Sequence, residues 1–181
     1  MVKRLTRNIA GHYHAVYCDN FFTSATLFED LLKDKIYACG TYNHTRKCYP
    51  KCLKARAKSG LKNRGDYLYS QCGNLLVSLW QDTKTVSCLS TNQSPAEVSV
   101  CRRQKDGTRI EIPCPEAIKV YNEYMGGVDK NDQLCGYYSV RTKSRKSYKY
   151  LFWFLFDVAI INSFILYGLS PEKEKIEGFQ S

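Results

Sequence analysis

Acidic residues are in short supply in this 181-residue chain: 17 Asp and Glu stand against 27 Lys and Arg, a formal net charge of +10. That imbalance disfavours a polycationic partner and points to a polyanionic one, nucleic acid first. A basic protein that is merely soluble is the alternative on charge alone. Histidine is scarcer still, with only His12, His14 and His44. Nothing around them suggests Ser/His/Asp catalysis. No glycine-rich phosphate loop occurs, which excludes the P-loop and dinucleotide fingerprints. No basic stretch followed by an apolar one opens the sequence, so no secretory leader is expected. The nine cysteines, an odd number, then read as reduced thiols of the cytosol or nucleus.

What is present suits one domain, or one domain with an insertion: hydrophobic residues make up 44% of the chain. His14–Cys18 reads as a strand, and Thr23 or Ser24 can cap a helix with Leu27, Phe28, Leu31 and Leu32 at helical spacing. A second strand runs from Ile36 to Tyr42. Residues 43–65 are basic and poor in large apolar side chains, so they read as a surface loop or irregular insertion. Leu75–Trp80 and Thr85–Leu89 form one expected hairpin. Ser99–Ile112, with Asp106-Gly107 at its turn, forms a second. Pro115 can open a helix, which Gly126-Gly127 interrupts before "VDKNDQLCGYY" resumes it. Leu151–Tyr167 is almost wholly apolar after a basic run, the look of a membrane span. It is short for one, and it contains Asp157 and Asn162. A helix buried in a soluble core is therefore expected, with no membrane partner. The order of elements is that of a mixed α/β domain with a β-rich insertion.

Three constellations could carry chemistry. Asp129 and Asp132 are spaced i, i+3 and share one helical face. With Asp19 at a strand end they could contribute to a two-metal phosphoryl-transfer site, for which hard carboxylate oxygens select Mg²⁺ or Mn²⁺. The plainer reading is an acidic pair favouring a helix N-terminus. His44, Cys48 and Cys52 recur four apart, and Cys39 or Cys72 could complete a zinc set. Pro50 breaks that stretch and no second tight pair follows, so zinc is not expected. Three basic runs, Arg46–Arg64, Cys101–Lys105 and Arg141–Lys149, interleave Tyr with Lys and Arg in the manner of nucleic-acid contacts. The expected DNA-binding residues are Arg102, Arg103, Arg141, Lys143, Arg145, Lys146 and Lys149.

"CDNFFTS" (Cys18–Ser24), "YNEYMGGVDKNDQL" (Tyr121–Leu134) and "INSFILY" (Ile161–Tyr167) occur in this order. Together they resemble the core of a piggyBac-type transposase or of a domesticated protein derived from one, over about His14 to Leu169. The resemblance implies an RNase H-like (DDE/D) fold that cuts and joins DNA by two-metal catalysis, in the nucleus. It implies that Asp19 is the second catalytic acid, Asp129 the third and Asp132 a further one, with Asp19 and Asp129 on metal. Asn20–Ser24 would shape the turn behind Asp19. The family's first acid lies on an upstream strand, yet the eighteen residues before Asp19 contain no Asp or Glu. The expected organisation is a partial RNase H-like core over 1–41, a β-hairpin-rich insertion over 42–114, the helical remainder of the core over 115–170 and a flexible tail over 171–181. Such a chain would be a truncated, DNA-binding remnant, inactive alone. An upstream segment bearing the first Asp would make it an active strand-transfer enzyme, and a gene-model fragment without function of its own is the third reading. Missing core strands would leave an open sheet edge, and with it self-association.

Overall fold

The computed structural model describes residues 1–104, 106–140 and 142–170, apart from the Lys58 side chain. Arg141 and the tail expected over 171–181 lie outside the described residues. The chain forms two compact units, one of Met1–Met125 and one that begins at Gly126.

In the first unit a short helix α1 (Val2–Leu5) precedes strand β1 (Ala15–Cys18), helix α2 (Ala25–Lys33) and strand β2 (Tyr37–Thr41). β1 and β2 pair in parallel, with Cys18 opposite Gly40. The connection works because Ser24 caps α2, its hydroxyl accepting from the Leu27 N–H at 3.2 Å. Phe28 and Leu31 of α2 are then fully buried, with Leu27 and Leu32 half-buried beside them.

Three more strands join the same sheet: β3 (Tyr67–Cys72), β4 (Leu75–Gln81) and β5 (Thr85–Ser90), in the order β1-β2-β5-β4-β3. Residues 42–114, read from the sequence as an insertion, therefore supply strands to the sheet that holds β1 and β2. Only β6 (Glu97–Arg103) and β7 (Arg109–Pro115) stand apart, as a two-stranded antiparallel hairpin whose turn places Gly107 at φ +88°. Among the described residues β1 pairs with β2 alone, so one side of it is an edge.

Both faces of the sheet are covered. On one, α2 and α3 (Lys51–Gly60) bury Cys18, Ala38, Tyr42, Leu53 and Leu89. On the other, α4 (Glu116–Tyr124) and the β6–β7 hairpin bury Cys39, Trp80, Cys88, Cys114 and Ile118. The Trp80 indole N–H, which burial would otherwise leave unpaired, donates to the Pro113 carbonyl at 2.7 Å. Helix α3 corrects the expected irregular surface segment. Among its described side chains only Leu53 is buried and most of the rest is basic or small, so no apolar period marked it. Pro50 caps its start, as a residue with no N–H to lose can.

The second unit is a helix pair, α5 (Gly127–Tyr137) and α6 (Ser147–Leu169). Gly126 separates α5 from α4, as the sequence indicated. The expectation of a buried core helix over Leu151–Tyr167 is overturned. Of α6 only Asp157 and Ile161 are buried, whereas Leu155, Phe156, Phe164 and Leu166 are exposed. An all-round apolar pattern signals all-round burial, but among the described residues α5 and the turn after it are what packs on α6. By length and composition alone this helix could cross a membrane. Asp157 accepts from the Ser139 hydroxyl at 2.9 Å and from the Val140 N–H at 3.0 Å, so its burial is compensated.

All nine cysteines are free, with Cys48, Cys52, Cys72 and Cys101 exposed and the other five buried. Burial pushes the Cys18 and Cys114 thiols up to about 11. Both are therefore protonated and unreactive well above neutral pH. Ellman's reagent near pH 8 is expected to titrate four thiols quickly in the native chain and all nine in guanidinium; a fast fifth thiol would contradict the packing described.

Candidate functional site

Asp19 immediately follows β1 and its side chain is exposed. Its backbone is not free to move. The Asp19 carbonyl accepts from the N–H groups of Phe22 and Thr23 at 3.0 and 3.1 Å. It also accepts from the Thr23 hydroxyl at 3.0 Å, and that oxygen lies 3.4 Å from the Cys18 carbonyl. Thr23 is fully buried. Gly40 on β2 packs directly against this turn. A Cβ there would sit 2.5 Å from the Cys18 carbonyl oxygen and overlap Thr23 Oγ1. A strand glycine in "YACGTY" is the sequence signal for such an approach, though the sequence does not say what approaches.

Two further groups frame the turn. The Arg46 guanidinium donates to the carbonyls of Asn20 and Phe21 at 2.8 and 3.0 Å, a positioning role the sequence reading missed. On the α4 side, Tyr17 stacks on Tyr124 with ring centroids 5.2 Å apart. Burial raises the Tyr121 phenol, hydrogen bonding to Thr41 pulls it back, and the Asp19 carboxylate adds to the rise.

Asp129 lies in the first turn of α5, and Asp132 follows one turn on; both are exposed. The helix puts them on one face, as their spacing predicted. Among the described residues no group of three or more His, Cys, Asp or Glu side chains is placed to hold a metal ion. That covers the His44, Cys48 and Cys52 set as well; Cys52 Sγ instead lies 3.6 Å from the Ser70 hydroxyl.

The expected DNA-binding cations differ in their surroundings. Arg102 is engaged inside the protein: its guanidinium lies 5.6 Å from the Trp80 ring centroid and its Nε 3.3 Å from Asp82. The same carboxylate holds Arg64 at 2.6 Å. Arg103 is exposed beside it. Lys143, Arg145, Lys146 and Lys149 are all exposed. Lys143 lines a cavity of about 320 Å³ with Tyr150 and Trp153. Lys146 occupies the N-cap position of α6 without a side-chain hydrogen bond to its N–H groups, and no acidic residue occupies the first turn of that helix. The helix dipole and these cations reinforce one another there, the arrangement that a bound anion stabilises.

A family model described as Transposase IS4 matches residues 1–164 of the chain. The chain belongs to the piggyBac-type transposase family. PiggyBac transposable element-derived protein 5 of Homo sapiens is 29% identical to it over 172 residues, which cover 94% of this chain and 32% of that protein. PiggyBac transposable element-derived protein 3, also human, is 32% identical over 175 residues, covering 93% and 29%. A cryo-EM structure of a piggyBac transposase synaptic complex with hairpin DNA superposes with a TM-score of 0.77 at 26% identity, covering 96% of this chain and 34% of that one. The chain thus spans about a third of the length of the piggyBac relatives it matches.

The Asp19 turn generates a stability prediction. Thr23→Val keeps the buried volume but removes the hydroxyl's bond to the Asp19 carbonyl, which keeps its Phe22 and Thr23 N–H donors, at a cost of about 1 kcal/mol. Gly40→Ala forces two backbone segments apart and is expected to cost about 3 kcal/mol. Gly126→Ala, where a Cβ meets nothing within 4 Å, should change stability by less than about 0.5 kcal/mol. Urea denaturation measures all three; a neutral Gly40→Ala would show that the approach of β2 is looser than described.

Proposed function

We propose that this chain is a DNA-binding part of a piggyBac-type transposase catalytic core, with a partial RNase H-like fold, acting in the nucleus. Asp19, Asp129 and Asp132 are its inherited second, third and further acids. One observation carries the reading above all: Asp19 stands at the carboxyl end of a strand in a parallel β-α-β unit, on a backbone turn locked by Thr23. Catalytic carboxylates need that combination of a fixed backbone and an exposed head. The family membership supports it, and so does the likeness to a transposase solved with hairpin DNA.

Hard carboxylate oxygens suit Mg²⁺ or Mn²⁺. Two such ions about 4 Å apart repel strongly and need several bridging acids to hold them. The eighteen residues before Asp19 offer no further acid to such a set. These 181 residues alone therefore bind DNA without cutting it. The DNA contacts come chiefly from Lys143, Arg145, Lys146 and Lys149 around the start of α6, where exposed cations and an uncapped helix N-terminus coincide. Arg102 contributes less, because Asp82 and Trp80 already hold it.

The bare apolar faces of α6 are covered by protein and not by lipid. A buried, hydrogen-bonded Asp157 near the helix midpoint would cost several kcal/mol at a bilayer centre. Protein expressed in cells should leave the membrane fraction in a carbonate wash; retention that only detergent reverses would sink this reading of α6.

DNA affinity is expected to fall steeply with salt, as counterion release requires. Converting Lys143, Arg145, Lys146 and Lys149 together to Gln should flatten the log–log slope by about 0.9 for each duplex phosphate that is no longer neutralised. The same preparation should not nick a transposon-end substrate in Mg²⁺ or Mn²⁺. A salt-independent affinity would remove the nucleic-acid reading. Cutting that Asp129→Asn abolishes would show that the acid set is complete.

A further inference from the structure

Cys39 on β2 and Cys88 on β5 bring their sulfurs to 3.5 Å although they lie 49 residues apart in the chain. Both are buried, on the α4 face of the sheet with Trp80, Cys114 and Ile118. The strand register explains the contact. Cys39 stands opposite Ser90 and Cys88 opposite Thr41, so the two thiols are diagonal neighbours on one face of an antiparallel pair. The Ala117 carbonyl on α4 lies 3.6 Å from Cys39 Sγ and 3.8 Å from Cys88 Sγ.

The pair sits on the shortest seam of this sheet. β2 meets β5 only through Cys39–Ser90, Gly40–Leu89 and Thr41–Cys88, whereas β4 meets β5 along the whole of Leu76–Gln81. Within the sheet that seam joins the parallel β1–β2 pair to the antiparallel strands. A short ladder opens more readily than a long one, and local opening admits small solutes to groups that are buried on average. Cys39 also precedes Gly40, whose bare Cα lets β2 pack against the Asp19 turn. The two thiols are not equivalent. The hydrogen bond from Cys88 holds the Cys39 thiol below its ordinary value despite burial, with Ser90 and the Gly40 backbone assisting. The same bond, together with burial, pushes the Cys88 thiol well up. Cys39 is therefore the better nucleophile, because the thiolate is the form that attacks.

We propose that Cys39 and Cys88 form a redox-active dithiol that a small hydroperoxide converts into a disulfide, stapling β2 to β5. The Cys39 sulfur attacks one peroxide oxygen and the O–O bond breaks, which leaves Cys39 as a sulfenic acid. The Cys88 sulfur then attacks the sulfenic sulfur, and the S–O bond breaks. In sum the two thiols lose two electrons and two protons, and one molecule of peroxide becomes two of water. The sulfurs close from 3.5 Å to about 2.05 Å, a movement that the short seam can absorb. A bridge between residues so distant in sequence constrains the unfolded chain, so the oxidised form is the more stable one. The assignment stands apart from the DNA-binding reading.

The test uses the full 181-residue chain. N-ethylmaleimide first caps the four exposed thiols in the native state. Hydrogen peroxide is added and then removed with catalase, and iodoacetamide labels the remaining thiols in guanidinium. Peptide mapping is expected to recover Cys18, Cys114 and Cys135 alkylated and Cys39 joined to Cys88. The urea midpoint of the oxidised protein should rise, and hydrogen exchange at the amides of Cys39–Thr41 should slow; dithiothreitol should reverse both. Cys88→Ser should abolish the bridge and both shifts, and Cys114→Ser should keep them. Recovery of Cys39 and Cys88 as alkylated thiols from the parent chain would overturn the proposal without recourse to any variant. Cys39 sulfinic acid beside a free Cys88, or a bridge from Cys88 to Cys114, would also overturn it. A Cys39–Cys88 bridge that leaves the urea midpoint unchanged would overturn the staple.

Discussion

The buried hydroxyl of Thr23, donating to the carbonyl of Asp19 beside the bare Cα of Gly40, fixes where β1 ends. Each neighbouring feature depends on that crowding. β1 cannot continue, because the Asp19 carbonyl already accepts from Phe22, Thr23 and the Thr23 side chain. The chain must therefore turn there, and Ser24 is then in position to cap α2. The helix returns the chain to lay β2 parallel to β1, with Gly40 opposite Cys18. Any residue but glycine at 40 would push β2 away and release the turn. Arg46 makes a second clamp by bonding to the next two carbonyls. The outcome is a carboxylate whose backbone is held from several sides while its head remains exposed.

The two faces of the sheet do different work at this rim. On the α4 face, Tyr17, Tyr121 and Tyr124 surround the end of β1, and the field of Asp19 reaches the Tyr121 phenol. On the α2/α3 face the strand ends open into a cleft of about 760 Å³ that Lys54 and Lys84 line. Polar and aromatic groups gather at the carboxyl rim because the parallel pair leaves both strand ends pointing the same way there. An antiparallel pair would have put one of the two ends at the opposite edge.

Much of this was legible in the residues. Ser24 before an apolar period, the Gln81–Lys84 turn, Asp106-Gly107 and Pro115 each carried a local rule that tertiary packing did not override. The Gly126-Gly127 break and the shared face of Asp129 and Asp132 followed from spacing alone. What stayed hidden was set by contacts distant in sequence. Helix α3 buries little more than Leu53, so its basic surface resembled a loop. Arg102 belonged to a basic run, but no run shows that Asp82, twenty residues earlier, will hold it against Trp80. Arg46 was read as one cation among many, though its partners are backbone carbonyls with no sequence signature. Helix α6 failed differently. Its apolar composition predicted burial, and composition records only that such a surface requires cover, not whether the same chain provides it.

The same distinction, between charges answered within the fold and charges left open, orders the basic excess. Lys3 and Lys33 meet Asp30, Arg64 and Arg102 meet Asp82, and Arg46 meets carbonyls. Lys54 and Lys84 in the cleft, and Lys143, Arg145 and Lys149 about the start of α6, carry no ion pair among the described residues. Exposed cations of this kind cost little when solvated and are worth little when paired singly. Set close together they are different, since each raises the free energy of its neighbours until counterions or a polyanion gather. Binding a phosphodiester chain there releases condensed ions from the nucleic acid and relieves repulsion in the protein. A neutral partner would do neither. The placement of the unanswered charges is thus a stronger statement about the partner than the net charge of +10, because a uniformly basic surface could show the same total with no such concentration.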